Sequence, residues 1–139
     1  MKLLQPFKTI LWFTLVLLYG TGVLVYVLAT WFQSDRGMGP EPSPWQLTSL
    51  QVHSITGLLF LIFFGYLWAT HILPGWRRRR LRGTGALMTG VCIVLMLTVP
   101  ILFYSTHEEF KNLTGLVHTY LGLASILPFL LHLAVGRSL

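Results

Sequence analysis

The side chains in this sequence that could do chemistry are its histidines, which stand in stretches that are otherwise almost entirely apolar. The chain of 139 residues contains five of them. Ionisable side chains inside a membrane are costly and are usually functional. Two apolar stretches carry four of the five, His53 and His71 on one, and His118 and His132 on the other. This arrangement predicts a functional site more strongly than any other feature of the sequence.

Helical spacing places each of these two sets of histidines on one side of its helix. His53 and His71 are 18 residues apart, about five turns and about 27 Å along a helix axis. His118 and His132 are 14 residues apart, about four turns and about 21 Å, and share a face within about 40°. If the two helices run in the same direction, His53 meets His118 near one membrane surface and His71 meets His132 near the other.

Two histidines from facing helices can serve as the axial ligands of a low-spin haem iron. The sequence therefore predicts two bis-histidine sites for haem b, with His53, His118, His71 and His132 as the iron ligands. The alternative for any one of them is a hydrogen bond across helices, which explains four histidines in two matched pairs less well. It contains no C-x-x-C-H motif for covalent attachment of a c-type haem. The two axial separations differ by about 6 Å, and we expect helix tilt and a bend at Pro128 to take up part of the difference.

Four apolar stretches of membrane length must position these histidines, at about 8–32, 47–73, 84–104 and 113–135. A bilayer core needs about 20 apolar residues per helix. The chain is 54% hydrophobic and only 10% charged, whereas soluble domains carry about 25% charge. Short loops join antiparallel neighbours, so we expect an all-α, transmembrane four-helix up-down-up-down bundle that forms one domain over 1–139. In that topology the second and fourth spans are parallel.

The basic residues indicate how the chain is oriented. With the N-terminus inside, eight Lys and Arg residues fall inside and two outside, which is a decisive bias under the positive-inside rule. We therefore expect a multi-pass protein of a bacterial inner membrane with both termini cytoplasmic. The net charge of +6 indicates topology and contact with membrane lipid rather than nucleic acid, and a specific acidic partner is the alternative. Five of the basic residues stand in one inside loop: Arg77, Arg78, Arg79, Arg80 and Arg82.

Glycines follow two of the histidines at helical spacing. Gly57 comes four residues after His53, and Gly122 comes four residues after His118. A glycine one turn from a ligand lies on the same face, and we expect it to leave room for a flat macrocycle. The alternative is close packing of helices, for which small residues also serve in membranes.

Several segments resemble the ligand helices of small membrane di-haem cytochromes b. Residues 116–122 read LVHTYLG and 130–133 read LLHL, while 52–57 read VHSITG and 68–71 read WATH. The 14-residue spacing is similar to that in the cytochrome b subunit of cytochrome bc complexes. The four-span architecture looks closer to the cytochrome b subunits that anchor formate dehydrogenases, hydrogenases and related oxidoreductases.

The resemblance implies exchange of electrons with quinone and a redox partner on the outer face, such as a periplasmic cytochrome or an iron–sulfur protein. The small size suggests an electron-transfer subunit of a respiratory oxidoreductase complex rather than a stand-alone enzyme. The candidates to pair with haem propionates are arginines of the inside loop, above all Arg77 and Arg78, and the stretch continues to Arg80. On the outer side of the membrane, the candidates to pair with propionates are Arg36 and Lys111.

Other interpretations stay open at this point. The chain could be a non-redox membrane anchor or assembly subunit, a small transporter, or a membrane site for copper or zinc. A transporter would want more polar groups along a pathway, and metal ligands would have to converge on one ion. His107, beside two glutamates at the outer surface, is either a solvated loop residue or a proton acceptor next to a quinol site.

Overall fold

Four helices of membrane length account for most of the chain, and the all-helical fold class is confirmed. In the computed structural model, which describes residues 5–35, 40–79 and 81–137, the spans are Gln5–Trp31, Pro44–Arg77, Arg82–Tyr104 and Glu108–Arg137. We call them spans 1 to 4. Each is long and apolar enough to cross a bilayer, as expected of a multi-pass membrane protein.

The helices that make up these spans are α1 (Gln5–Trp31), α2 (Pro44–Leu67), α3 (Leu73–Arg77), α4 (Arg82–Tyr104), α5 (Glu108–Ala124) and α6 (Ile126–Arg137). Between spans 1 and 2, the two-residue strands β1 (Ser34–Asp35) and β2 (Pro40–Glu41) pair in antiparallel fashion. Span 2 begins three residues earlier than predicted, at Pro44, because proline fits the first turn of a helix, where its missing N–H has no partner to lose.

The chain divides into two compact units, Met1–Phe64 and Gly65–Leu139, and the prediction of a single domain stays a prediction. In the first unit, α1 and α2 run in opposite directions. The Phe7 and Phe63 rings meet edge to face with centroids 5.4 Å apart. Further along α1, the Leu18 side chain lies against Gly57.

Span 2 continues past residue 73, where the sequence predicted its end, and past Pro74. Residues Trp68–Ile72 form a π-helical turn, in which the N–H of Leu73 donates to the oxygen of Trp68, and the helix then continues to Arg77. Proline has no N–H and its ring clashes with the carbonyl four residues earlier, here that of Thr70. The wider π turn accommodates this clash, so Pro74 reshapes the helix instead of ending it.

In the second unit, spans 3 and 4 are antiparallel neighbours. Leu102 lies against Gly115, Leu95 against Gly122 and Leu81 against Gly136. Span 4 is interrupted at Ser125, whose N–H and hydroxyl both donate to the oxygen of Gly122. The sequence predicted a bend at Pro128, and the interruption lies three residues before it. Pro128 has no N–H to donate to the carbonyl four residues earlier, so the regular helical hydrogen bonding is broken in this turn.

The turn between spans 2 and 3 has a strained backbone and contains a cation–π contact. Arg79 and Leu81 adopt positive φ angles of 57° and 52°, a conformation that side chains with a Cβ rarely adopt. The guanidinium of Arg82 lies 5.1 Å from the centre of the Trp76 ring, and its Nε donates to the Trp76 oxygen at 3.0 Å. These contacts hold the turn closed across its two ends.

The most buried side chains of the spans are threonines, whereas most large apolar side chains are exposed and, among the described residues, the buried apolar ones are Leu11, Leu28 and Cys92. This distribution is expected where lipid surrounds the helices and small residues let them approach. Across the described residues, the buried polar side chains are Thr14, Ser43, Ser49, Thr56, Thr98 and Thr114. Hydroxyl side chains are therefore concentrated at the contacts between helices, and three histidines lie at such contacts.

Candidate haem-binding histidines

His53 lies on α2 with its ring against α1. Its Nδ1 is 3.1 Å from the backbone oxygen of Leu18 and 3.2 Å from the Oγ1 of Thr21. The Thr21 hydroxyl has already given its hydrogen to the oxygen of Leu17 at 2.7 Å. A carbonyl oxygen can only accept, so in the neutral ring Nδ1 carries the hydrogen and the lone pair is on Nε2.

A glycine completes the contact between α1 and His53. A Cβ added at Gly22 would lie 3.0 Å from the Cε1 of His53, closer than such atoms normally approach. The ring therefore uses the space that this glycine leaves. Gly57, the residue predicted to make room beside His53, has the Leu18 side chain 3.9 Å from where its Cβ would be, and this ordinary contact favours the helix-packing alternative.

His118 lies on α5 and is held by a threonine of α4. The Oγ1 of Thr98 is 2.6 Å from the His118 Nδ1 and also 2.6 Å from the oxygen of Leu95. Because a carbonyl oxygen can only accept, we assign the single hydroxyl hydrogen to the Leu95 contact, and the second contact is then one in which His118 Nδ1–H donates to Oγ1. His118 therefore has the same tautomer as His53, in a contact where Thr98 is only 7% exposed.

His71 and His132 come together inside the second unit. Their ring centroids are 6.1 Å apart and the rings are nearly perpendicular, at 88°. His71 belongs to the π-helical turn before Pro74, and His132 lies on α6. The Oγ1 of Thr84 is 3.1 Å from the His132 Nδ1. As at His53, a glycine of the neighbouring helix lies beside the ring: a Cβ at Gly85 would be 3.7 Å from the His132 Cε1.

The spacing of the His71 and His132 rings fits two axial ligands of one iron. An imidazole nitrogen lies about 2 Å from a metal that it binds and about 1 Å from its own ring centre, so rings on opposite sides of an iron have centres about 6 Å apart. The observed 6.1 Å agrees with this value. His53 belongs to the first unit and His118 to the second, so the pairing of these two stays a prediction from the sequence.

The other predicted site residues lie in less constrained places. Gly122 packs at an ordinary distance of 3.9 Å against Leu95, which favours helix packing as at Gly57. Arg77 and Arg78 are exposed at the end of span 2, whereas Arg80 and Arg36 lie outside the described residues. Lys111 and His107 are also exposed, and His107 immediately precedes α5.

The alternative of a copper or zinc site finds no matching cluster in the ranges 5–35, 40–79 and 81–137. A structural zinc site uses four converging ligands, and these ranges contain no group of three or more His, Cys, Asp or Glu side chains that could hold an ion. Cys92 is a buried free thiol. A haem iron needs only two protein ligands, so a pair of histidines is sufficient for it.

The threonines that contact the histidines were not among the site residues predicted from the sequence. A usable signal was present, since Thr84 and Thr98 are 14 residues apart, the same spacing as His118 and His132 on the antiparallel neighbour. The dipeptide Thr-Gly at Thr21 and Thr84 is a weaker signal, because it occurs five times in the chain.

No protein-family model matches this sequence, and no curated protein and no solved structure shows significant similarity to it.

Proposed function

We propose that this chain transfers electrons across a bacterial inner membrane by means of two b-type haems, as a subunit of a larger oxidoreductase. The observation that carries the proposal is the approach of His71 and His132, whose ring centroids are 6.1 Å apart. In a membrane-spanning chain with few ionisable groups, two imidazoles at this distance are best explained by a shared ligand.

The chain's own residues perform two tasks in this proposal. The histidines would hold the haem iron, His71 with His132 at one site and His53 with His118 at the other. Helices of membrane length carry the histidines at fixed positions along each span. Bound haem would supply the one-electron chemistry, which protein side chains do not provide.

The orientation and the partners follow from the sequence. Both termini are cytoplasmic under the positive-inside rule, with eight Lys and Arg residues inside and two outside. The His71/His132 site is then near the cytoplasm, beside Arg77 and Arg78, which are candidates to pair with propionates. Quinone and an outer redox protein, a periplasmic cytochrome or an iron–sulfur protein, are the proposed exchange partners.

A haem assay on the purified full chain tests the proposal. We expect a b-type reduced-minus-oxidised spectrum and about two haems per chain by the pyridine haemochrome method, in line with two axial pairs. His118→Ala should abolish one of the two. His107→Ala, at an exposed histidine outside the proposed sites, is the matched control and should keep both. A chain without haem absorbance after expression with added haem precursor would overturn the proposal and favour a non-redox anchor.

A further inference from the structure

Three of the four proposed ligand histidines share one local arrangement. Each has its Nδ1 within 3.2 Å of a threonine Oγ1 on the preceding span: Thr21 for His53, Thr98 for His118 and Thr84 for His132. In all three contacts it is Nδ1, never Nε2, that meets the hydroxyl. A haem-binding histidine must keep the lone pair of one nitrogen for iron, so the nitrogen that is already hydrogen-bonded matters for function.

We infer that Thr98 and Thr21 are positioning residues that hold His118 and His53 in the Nδ1–H tautomer, which reserves Nε2 for iron and sets the reduction potential. This inference rests on the proposed function. At Thr98 the hydroxyl hydrogen goes to the oxygen of Leu95, which leaves the oxygen as an acceptor. At Thr21 the hydrogen goes to the oxygen of Leu17, and the backbone oxygen of Leu18 is a second acceptor for the His53 Nδ1–H.

The arrangement has a predictable electronic effect. An Nδ1–H that donates to a good acceptor makes the other ring nitrogen more basic. A more basic axial ligand stabilises ferric over ferrous iron and so lowers the reduction potential. Thr98 contacts its histidine at 2.6 Å and Thr21 at 3.2 Å, so removal of the Thr98 hydroxyl should have the larger effect.

The chain offers a matched control for Thr98. Thr114 is buried to nearly the same degree, 6% exposed against 7%, and also donates its hydroxyl hydrogen to its own helix, to the oxygen of Phe110 at 2.7 Å. Within the described residues it makes no hydrogen bond to an imidazole. Thr98→Val and Thr114→Val therefore remove the same group from similar surroundings, and only the first removes a partner of a histidine.

The tautomer can be measured without haem. We expect ¹⁵N spectra of ring-labelled histidine in the full, haem-free chain in detergent to show His118 with hydrogen on Nδ1, in the wild type and in Thr114→Val. Thr98→Val should shift hydrogen toward Nε2, and Thr98→Ser, which keeps the hydroxyl, should restore the wild-type pattern. An unchanged His118 tautomer in Thr98→Val would overturn the inference.

The haem-loaded chain supplies the second readout. Thr98→Val should weaken haem binding about 10- to 100-fold and shift the potential of one haem upward, with rescue by Thr98→Ser and no shift in Thr114→Val. Equal effects in Thr98→Val and Thr114→Val would indicate a packing role and also overturn the inference. If the chain binds no haem, the proposed function fails while the ¹⁵N result still decides whether Thr98 fixes the tautomer.

Discussion

In the first unit the imidazole of His53 contacts both a backbone oxygen and a threonine of the neighbouring helix, whereas in the second unit His118 and His132 contact threonine side chains. The Leu18 oxygen and the space left by Gly22 fix the His53 ring directly. In the second unit the contacts are hydroxyl groups at 2.6 Å and 3.1 Å. Histidines are thus positioned by a backbone oxygen and a close glycine together with a threonine in the first unit, and by threonine hydroxyl groups in the second.

His71 adds a third mode of positioning. Within the described residues no hydrogen bond from its side chain is found, and its ring lies beside that of His132. Its place depends on the π-helical turn that Pro74 imposes. π turns are rare in proteins and are often found at functional sites. Backbone geometry therefore positions the His71 ring, whereas a hydrogen bond to a threonine positions the His118 ring. Substitutions can test each of these kinds of positioning separately.

The largest effect is expected at Pro74. In Pro74→Ala the new N–H can donate to the oxygen of Thr70, so the π turn can relax to an α-helix. Loss of the additional residue in the turn rotates His71 relative to the rest of span 2 by about 100°. We expect the His71/His132 site to lose its haem while the other site keeps its own, so that the haem content falls by about half.

Haem content by pyridine haemochrome, with helicity by circular dichroism, checks this prediction. Pro44→Ala is the control, because Pro44 occupies the first position of α2, where proline displaces no hydrogen bond. Two haems per chain in Pro74→Ala would show that the π turn is not needed to place His71.

A smaller effect is expected at Gly22. A methyl group there would lie 3.0 Å from the His53 ring, so Gly22→Ala should displace the ring or separate α1 from α2. Overpacking of this kind costs about 1–3 kcal/mol. We expect a lower midpoint of thermal unfolding in detergent and weaker haem retention at the His53 site.

Gly20→Ala is the control for Gly22→Ala on the same helix. A Cβ at Gly20 meets nothing within 4 Å, and alanine is the better helix former by about 0.5–1 kcal/mol. The Gly20→Ala midpoint should therefore be unchanged or slightly raised. If the two variants lose the same stability, the close approach of α1 to His53 is not what requires Gly22.

The sequence predicted the long-range pattern of this fold better than its local irregularities. Four apolar stretches and four histidines at helical spacing were sufficient to place four spans and to bring His71 together with His132, because burial and helical period are properties of many residues at once. The π turn was missed, because proline can end, bend or widen a helix and the outcome depends on the packing around it. The expectation that Gly57 and Gly122 leave room for haem stays a prediction, and a Cβ at either position would lie 3.9 Å from a leucine of a neighbouring helix.

The threonine contacts show a different reason for a miss. A membrane threonine usually bonds to its own helix, as Thr56 and Thr114 do, so its residue type does not reveal that a histidine is near. Only the register between two helices distinguishes Thr98 from Thr114. The equal spacing of 14 residues in Thr84/Thr98 and His118/His132 carries that register for spans 3 and 4. Thr21 and His53 form a single pair, so a spacing match of this kind was not available for them.

The smallest effect is expected at Gly85, which has the same place beside His132 that Gly22 has beside His53. A Cβ at Gly85 would lie 3.7 Å from the ring, which is ordinary van der Waals contact, so the added methyl group needs no displacement. We expect Gly85→Ala to change the unfolding free energy by less than about 0.5 kcal/mol and to leave the haem content at wild-type level, measured in the same assays as Gly22→Ala. A loss as large as that of Gly22→Ala would mean that α4 presses on His132 as closely as α1 presses on His53. Close approach of a neighbouring helix to the histidine ring would then be common to both units, and the backbone contact of His53 would not set the first unit apart.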